Sequence, residues 1–182
     1  MAVPGQGTIH GFPEAKKPNV SSTVKLPASL ARLYARPGFL LRRAHQISAA
    51  VFEDECRELA LTPAQFGVLT VLRSHPGLGQ SSLARALGFD KVTVLRVLRG
   101  LETRGFVERG PAPDNKRNMC VSLTREGEDL LGKAHRPAER AYKRLLGPLD
   151  RSQQDELIHL LQLLTGELES HARAAFVPPS KD

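Results

Sequence analysis

Residues 81–123 place a short helical repeat, a glycine, a second helical repeat and two alternating runs in immediate succession. Few folds accept that order. The first helix is expected from Ser81 to Leu87, with Leu83, Ala84 and Leu87 turned inward. Gly88 follows, suited to the left-handed conformation that ends a helix. Phe89 and Asp90 make a tight connection, and Asp90 can cap a longer helix that runs to about Arg104. Val94, Val97, Leu98 and Leu101 recur at helical spacing and form its apolar face. Gly100 inside this helix costs about 1 kcal/mol relative to Ala, which suggests a close contact there. Gly105 ends it. Phe106–Arg109 reads as a strand, and Gly110–Asn115 holds two prolines, a glycine and an aspartate, which is turn chemistry. Met119, Val121 and Leu123 alternate with Cys120 and Ser122 as a second strand. The resulting hairpin has a basic tip, Lys116 and Arg117.

Helices flank this centre on both sides. Residues 1–28 are rich in Pro, Gly, Ser and Lys without periodicity and read as a flexible arm. A helix is expected after Pro37, with Leu40, Ala44, Ile47 and Val51 at helical spacing and an end near Ala60. The next helix has a strong start: Thr62 as cap, Pro63 in the first position, Gln65 completing a capping box, and Leu61 against Phe66 as a hydrophobic staple. His75-Pro76-Gly77 stops it. Thr124 caps a long helix in which Pro137 is expected to cause a kink or a break. Ser152 with Asp155 is expected to start the last helix, whose stripe is Leu157, Leu160, Leu161, Leu164 and Leu168. The tail from Phe176 to Asp182 reads as loose.

Charge separates the blocks. The chain of 182 residues carries a net +7. Residues 80–125 hold nine basic and four acidic side chains, and residues 1–43 seven basic and one acidic. Residues 44–79 and residues 126–182 are each net negative. A basic excess of this kind suits nucleic acid or another polyanion. No apolar run approaches the ~18 residues that cross a bilayer. The first residues, MAVPGQGTIHGF, do not read as a secretory signal. Two cysteines cannot build a disulfide framework, so a cytoplasmic protein is the expectation. No phosphate-cradling GxxxxGK[ST] loop and no GxSxG elbow occurs, and the six histidines lack metal-ligand spacing. The chain is therefore not expected to be an enzyme, and no cofactor or metal is expected.

Short helix, tight turn, longer helix and hairpin together make a winged helix-turn-helix, in which the second helix enters the major groove of DNA. With 94, 97, 98 and 101 inward, the opposite face shows Lys91, Val92, Leu95, Arg96 and Arg99. Arginine can bond guanine O6 and N7 together, and apolar side chains can touch a thymine methyl. Ser81, Ser82 and Thr93 are short hydroxyls suited to phosphate contacts. Arg117 at the hairpin tip can enter a neighbouring minor groove, with Lys116 beside it. The plainer reading is that Arg96 and Arg99 only solvate a helix. The basic hairpin directly after the helix favours the DNA reading.

The stretches SSLARALG, TVLRVLRGLETRGFVER and NKRNMCVSLTREG resemble, in this order, the helix-turn-helix and wing of the MarR family of bacterial transcription regulators. The resemblance spans roughly residues 38–170 and is most specific over 80–127. It implies a mainly α fold with a small β-hairpin wing and added N- and C-terminal dimerisation helices. It also implies a homodimer that binds a double-stranded, palindromic DNA operator, more in the manner of a repressor than an activator. The implied organisation is an arm at 1–28, an N-terminal helix at 29–60, a DNA-binding domain at 61–127, dimerisation helices at 128–175 and a tail at 176–182. One departure stands out. The family wing usually carries Asp, any residue, Arg; here these positions are Asn115, Lys116 and Arg117, with Asp114 one place earlier.

The resemblance also implies release from DNA by a small molecule bound between the DNA-binding lobe and the dimer helices. That region offers Arg36, Arg42, Arg43, His45, Phe52 and Phe66. Arginines can hold a carboxylate or phosphate, and aromatic rings can stack on a ligand ring. An aromatic acid or its CoA thioester fits that chemistry. The plainer reading makes the phenylalanines core and the arginines a solvated face. Two other functions compete. Cys56 or Cys120 could sense oxidants, although Glu53, Asp54, Glu55 and Glu58 crowd Cys56 and oppose a reactive thiolate. A winged helix could also serve as a protein-interaction module without DNA, against which Lys91, Arg96, Arg99, Lys116 and Arg117 argue.

Overall fold

The computed structural model describes residues 27–111 and 119–179. The chain divides into two compact units between Leu40 and Leu41. The described part of the first unit holds helix α1 (Ala28–Tyr34) and the opening turn of α2 (Pro37–Glu55). The periodicity predicts one helix after Pro37 within the 29–60 block and no separate helix ahead of it. The segment ASLARLY nevertheless forms one on its own propensity, since it is built from good helix formers and buries no residue. Within this unit Tyr34 packs on Phe39 with ring centroids 5.1 Å apart.

The second unit contains the rest of α2, a 3₁₀ turn at Arg57–Leu59, α3 (Pro63–Ser74), β1 (Leu78–Gly79), α4 (Gln80–Ala86), α5 (Lys91–Thr103), β2 (Val107–Pro111), β3 (Met119–Leu123), α6 (Arg125–Leu146) and α7 (Arg151–Leu168). Helix α2 ends at Glu55, short of the expected Ala60, because the chain tightens into the 3₁₀ turn and then turns left-handed at Ala60, φ 46°. Helix α3 starts as its sequence signals. Thr62 Oγ1 accepts from Gln65 N at 3.3 Å, and Gln65 Oε1 accepts from Thr62 N at 3.1 Å.

The sheet has three antiparallel strands in the order β1-β3-β2. Strands β2 and β3 form the expected hairpin in the register Val107–Leu123, Arg109–Val121 and Pro111–Met119. Strand β1 was not visible in the sequence. At two residues it has no periodicity, and it exists only through pairing with Val121 and Cys120.

One apolar core joins α3, α4, α5, the sheet and α6. Leu69, Leu72, Leu83, Leu98, Leu101 and Leu131 lie within it. No polar or charged residue among those described is buried in it. Helix α6 contributes Leu130, Leu131, Ala134, Ala138 and Ala141. It runs unbroken through Pro137, which the sequence reading expected to kink or interrupt it; these core contacts on both sides of the proline hold the helix together. Helix α7 begins at a different cap from the one expected. Asp150 accepts from Gln153 N at 2.9 Å and Gln153 Oε1 accepts from Asp150 N at 3.0 Å, so the box is Asp150/Gln153 and not Ser152/Asp155. Helix α7 buries no residue, and Leu157, Leu160, Leu161, Leu164 and Leu168 are all exposed. No described helix is long and apolar enough to cross a membrane.

Candidate nucleic-acid interface

The turn between α4 and α5 sets the geometry of this surface. Gly88 adopts φ 61°, the left-handed conformation its position requires. Asp90 then caps α5: its Oδ1 accepts from Thr93 N at 2.7 Å and its Oδ2 from Thr93 Oγ1 at 3.0 Å. These two bonds, with the charge of Arg96 adding to them, hold the Asp90 carboxyl below its ordinary range. The cap thus fixes where the first turn of α5 points.

Helix α5 is two-faced. Val94, Val97, Leu98 and Leu101 are buried as expected. Lys91, Val92, Arg96 and Arg99 are exposed, and Leu95 is half-buried at the edge. Val92 is 77% exposed, a large apolar side chain given to solvent at the start of the helix. Among the described residues no hydrogen bond or salt bridge engages the side chains of Lys91, Arg96 or Arg99, and Arg96 acts on Asp90 only through its charge. Ser81 is exposed and Ser82 half-buried in α4. The Thr93 hydroxyl donates to Asp90, which leaves its lone pairs and not its proton available to a partner. Lys116 and Arg117 lie outside the described residues, as does the rest of the hairpin tip.

Three contacts brace this surface, and of these the sequence predicts only the Thr124 cap. Arg109 in β2 pairs with Glu102 in α5 at 3.3 Å and donates to Gln80 Oε1 at 3.4 Å, tying the wing to both helices. Arg104, after the last turn of α5, donates to the carbonyls of Ala60 at 2.7 Å and Leu59 at 2.8 Å. Its guanidinium also lies 4.7 Å from the Phe106 ring centre. At the base of the wing Thr124 Oγ1 donates to Gly105 O at 2.7 Å and caps α6 by accepting from Gly127 N at 3.1 Å. A Cβ on Gly127 would lie 2.0 Å from Phe106 O, so only glycine lets α6 start this close to the strand. Gly100 does not have such a role. A Cβ there meets Gln65 Nε2 at 3.6 Å, an ordinary contact rather than the close approach expected.

The candidate ligand residues are placed as follows. Arg36 lies in the first unit. In the second, Arg42 and Arg43 both donate to Gln46 Oε1, at 3.3 and 3.0 Å, and His45 is exposed. Phe52 is 3% exposed and packs on Phe66 at 5.5 Å, and Phe66 meets His135 edge-on at 6.2 Å. A groove of about 660 Å³ at the end of α2 is lined by Asp54, Glu55, Arg57, Glu58, Lys133 and Arg140. Its arginines are already neutralised, Arg140 by Glu55 at 2.9 Å and Arg57 by Asp54. Cys56 is 1% exposed, and burial pushes its thiol above the ordinary value. Cys120 is buried with Sγ 3.7 Å from Pro111 O. No cluster of His, Cys, Asp or Glu among the described residues could hold a metal.

Comparison with known proteins agrees with this geometry. The MarR family model matches residues 61–119. The chain is 32% identical over 126 residues to the HTH-type transcriptional repressor NicR of Pseudomonas putida, covering 69% of this chain and 79% of that one. It is similar to the solved structure of the transcriptional repressor CouR bound to a 23-mer DNA duplex, with TM-score 0.68, 31% identity and coverage of 75% and 96%. It is also similar to that of BpsR of Bordetella bronchiseptica, whose DNA binding is regulated by 6-hydroxynicotinic acid, with TM-score 0.68, 29% identity and coverage of 72% and 94%. The winged helix-turn-helix, the braced face of α5 and these likenesses lead to one statement: the chain belongs to the MarR family of DNA-binding transcription regulators.

Proposed function

We propose that this protein is a homodimeric repressor that is released from a palindromic operator by a small ligand. Its DNA-binding domain is residues 61–127, and helices within 128–175 carry the dimer. The observation that supports it most is the outer face of α5, where Lys91, Val92, Arg96 and Arg99 stand exposed while Asp90 and Arg104 fix both ends of the helix. In this reading α5 enters the major groove. Arg96 and Arg99 contact bases, Val92 and Leu95 approach thymine methyls, and Ser81, Ser82 and Lys91 contact phosphates, while Thr93, its donors held by Asp90, offers only an acceptor. Lys116 and Arg117 reach the adjacent minor groove. Two protomers read half-sites about 34 Å apart. The exposed leucines of α7 supply an apolar face for the second copy.

A duplex selected by the protein from a randomised pool tests the first part. The expected result is a palindromic consensus and a log–log salt slope of about −0.9 for each phosphate contact. A shallow slope without sequence preference would point instead to a protein-interaction module.

The ligand in this reading is an aromatic acid or its CoA thioester, held within the second unit by Arg42, Arg43 and His45 with Phe66 as apolar wall. The regulation of the similar BpsR by 6-hydroxynicotinic acid supports the acid class. Calorimetric titration with a panel of such acids and thioesters should give heat that disappears when Arg42 and Arg43 are both reversed to Glu. Binding unchanged by that reversal would place the ligand elsewhere.

A further inference from the structure

The tail after α7 is expected to be loose from Phe176 onward, yet its described part is fastened. A 3₁₀ turn at Glu169–His171 follows α7, and Glu169 Oε1 accepts from Phe176 N at 2.7 Å, closing the segment into a loop. Val177 N then donates to Arg85 O at 2.9 Å, at the end of α4. Phe176 Cβ sits 3.8 Å from where a Cβ on Gly88 would be, directly against the turn that joins α4 to α5. One backbone bond, from Val177 N to Arg85 O, therefore fastens the tail to the end of α4, with Phe176 Cβ beside the Gly88 turn, while the Phe176–Glu169 bond closes the loop on itself.

The loop closed by these bonds faces a groove of about 560 Å³ whose wall includes Ser81, Arg85, Phe89, Asp90, Lys91 and Arg173. Arg85, Lys91 and Arg173 bring three cationic side chains to one concavity, and none has a carboxylate partner among the described residues. The single acid, Asp90, has both oxygens engaged by Thr93. Asp90 keeps its charge and offsets one of the three cations, so the concavity retains a net positive charge whose members repel one another. An arriving phosphate removes that repulsion and gains charge-assisted bonds, with Arg able to bond two oxygens at once.

We propose that the C-terminal tail is a third DNA-contacting element, and that Arg173 is a phosphate contact placed beside Ser81 and Lys91 by the Phe176–Glu169 and Val177–Arg85 bonds. The inference rests on the reading of α4 and α5 as the DNA-binding pair and adds a partner to it. The anion is a phosphodiester of the operator backbone, so Arg173 adds affinity without adding sequence preference.

The test uses the full chain and the duplex selected by the wild-type protein, with a scrambled duplex beside it. Affinities are measured over a series of KCl concentrations for wild type, Arg173→Ala, Arg173→Lys, Glu169→Ala and Arg96→Ala. Arg173→Ala is expected to weaken both duplexes by the same factor, about 3-fold or more. Its salt slope should be shallower by about 0.9 per bound protomer. Arg173→Lys should keep the slope, because the charge stays. Glu169→Ala should lose it in part, because the loop opens while Arg173 remains. The proposal is overturned if Arg173→Ala binds with wild-type affinity and slope while Arg96→Ala still loses sequence preference. It is overturned equally if Arg173→Ala weakens binding at an unchanged slope, since Arg173 would then act on the fold and not on phosphate. A wild-type protein that prefers no sequence and shows no salt dependence would remove the underlying DNA reading itself.

Discussion

Gly127 shows how far a single position can be read. It ends the stretch NKRNMCVSLTREG that resembles the family wing, three residues after Thr124. Its physical reason was not visible there, because the obstacle is the Phe106 carbonyl, brought to within 2.0 Å of a hypothetical Cβ by the fold alone. Gly127→Ala should therefore lower stability by about 1–3 kcal/mol in urea unfolding, the ordinary cost of overpacking. Gly132→Ala, five positions along the same helix in open space, should raise it by up to about 1 kcal/mol. The cap at Asp90 was fully legible, since aspartate before an amphipathic run is a local signal. The cap of α7 was not: Asp150 and Ser152 both qualify by type, and which one satisfies the helix is decided by backbone angles that composition does not encode. Asp90 also carries a pH prediction. Its carboxyl is held below its ordinary value in the folded protein, so its contribution is present above the unfolded value and lost as pH falls through the folded one. Asp90→Ala should be less stable than wild type at neutral pH, and the two should converge in strong acid. A difference that persisted there would assign the effect to packing.

At the scale of elements, periodicity located the amphipathic helices and the hairpin because each buries a regular stripe. It failed where an element has no stripe to show. Helix α1 and strand β1 were absent from the sequence reading for that reason, one burying nothing and the other being two residues long. Long-range polar contacts were equally hidden. The end of α2 is joined to α6 by Arg140–Glu55 at 2.9 Å and by Arg144, which lies 2.6 Å from Asp54 and 3.3 Å from Glu55. Hydrogen bonds from Arg144 and Arg140, respectively, are the largest influences lowering the Asp54 and Glu55 carboxyls. Both groups therefore stabilise the α2–α6 junction above the ordinary carboxylate range, and that contribution disappears as pH falls through their lowered values. Thermal melts of an Arg140→Ala/Arg144→Ala variant should lie below wild type at pH 7. The gap should close in acid and narrow at high salt, since these pairs are open to solvent. Arg104 is the corresponding strut at the other end of α5. Removing its two bonds by Arg104→Ala should cost about 1–3 kcal/mol, read by urea unfolding.

For the whole molecule, the features proposed to carry function sit where a folded core has nothing to gain from them. The buried face of α5 explains why the helix exists, and the exposed face of Lys91, Val92, Arg96 and Arg99 is surplus to that need. The same holds for α7, whose leucines find no core of their own. Leu160→Asp with Leu164→Asp should accordingly yield a monomer in sedimentation and weaken operator binding, with the winged-helix melting transition retained. The family and fold were legible because local signals and their order agree. A ligand site was not legible in the same way, because phenylalanines such as Phe52 and Phe66 look alike in sequence as core and as pocket wall. The direct test of the central claim is base-by-base affinity of the selected operator for Arg96→Ala against wild type. The expected result is a loss of about 1–3 kcal/mol with specificity relaxed at one base position in each half-site. An affinity unchanged by the substitution, or lowered equally for every sequence, would contradict the assignment of α5 as the helix that reads bases through Arg96.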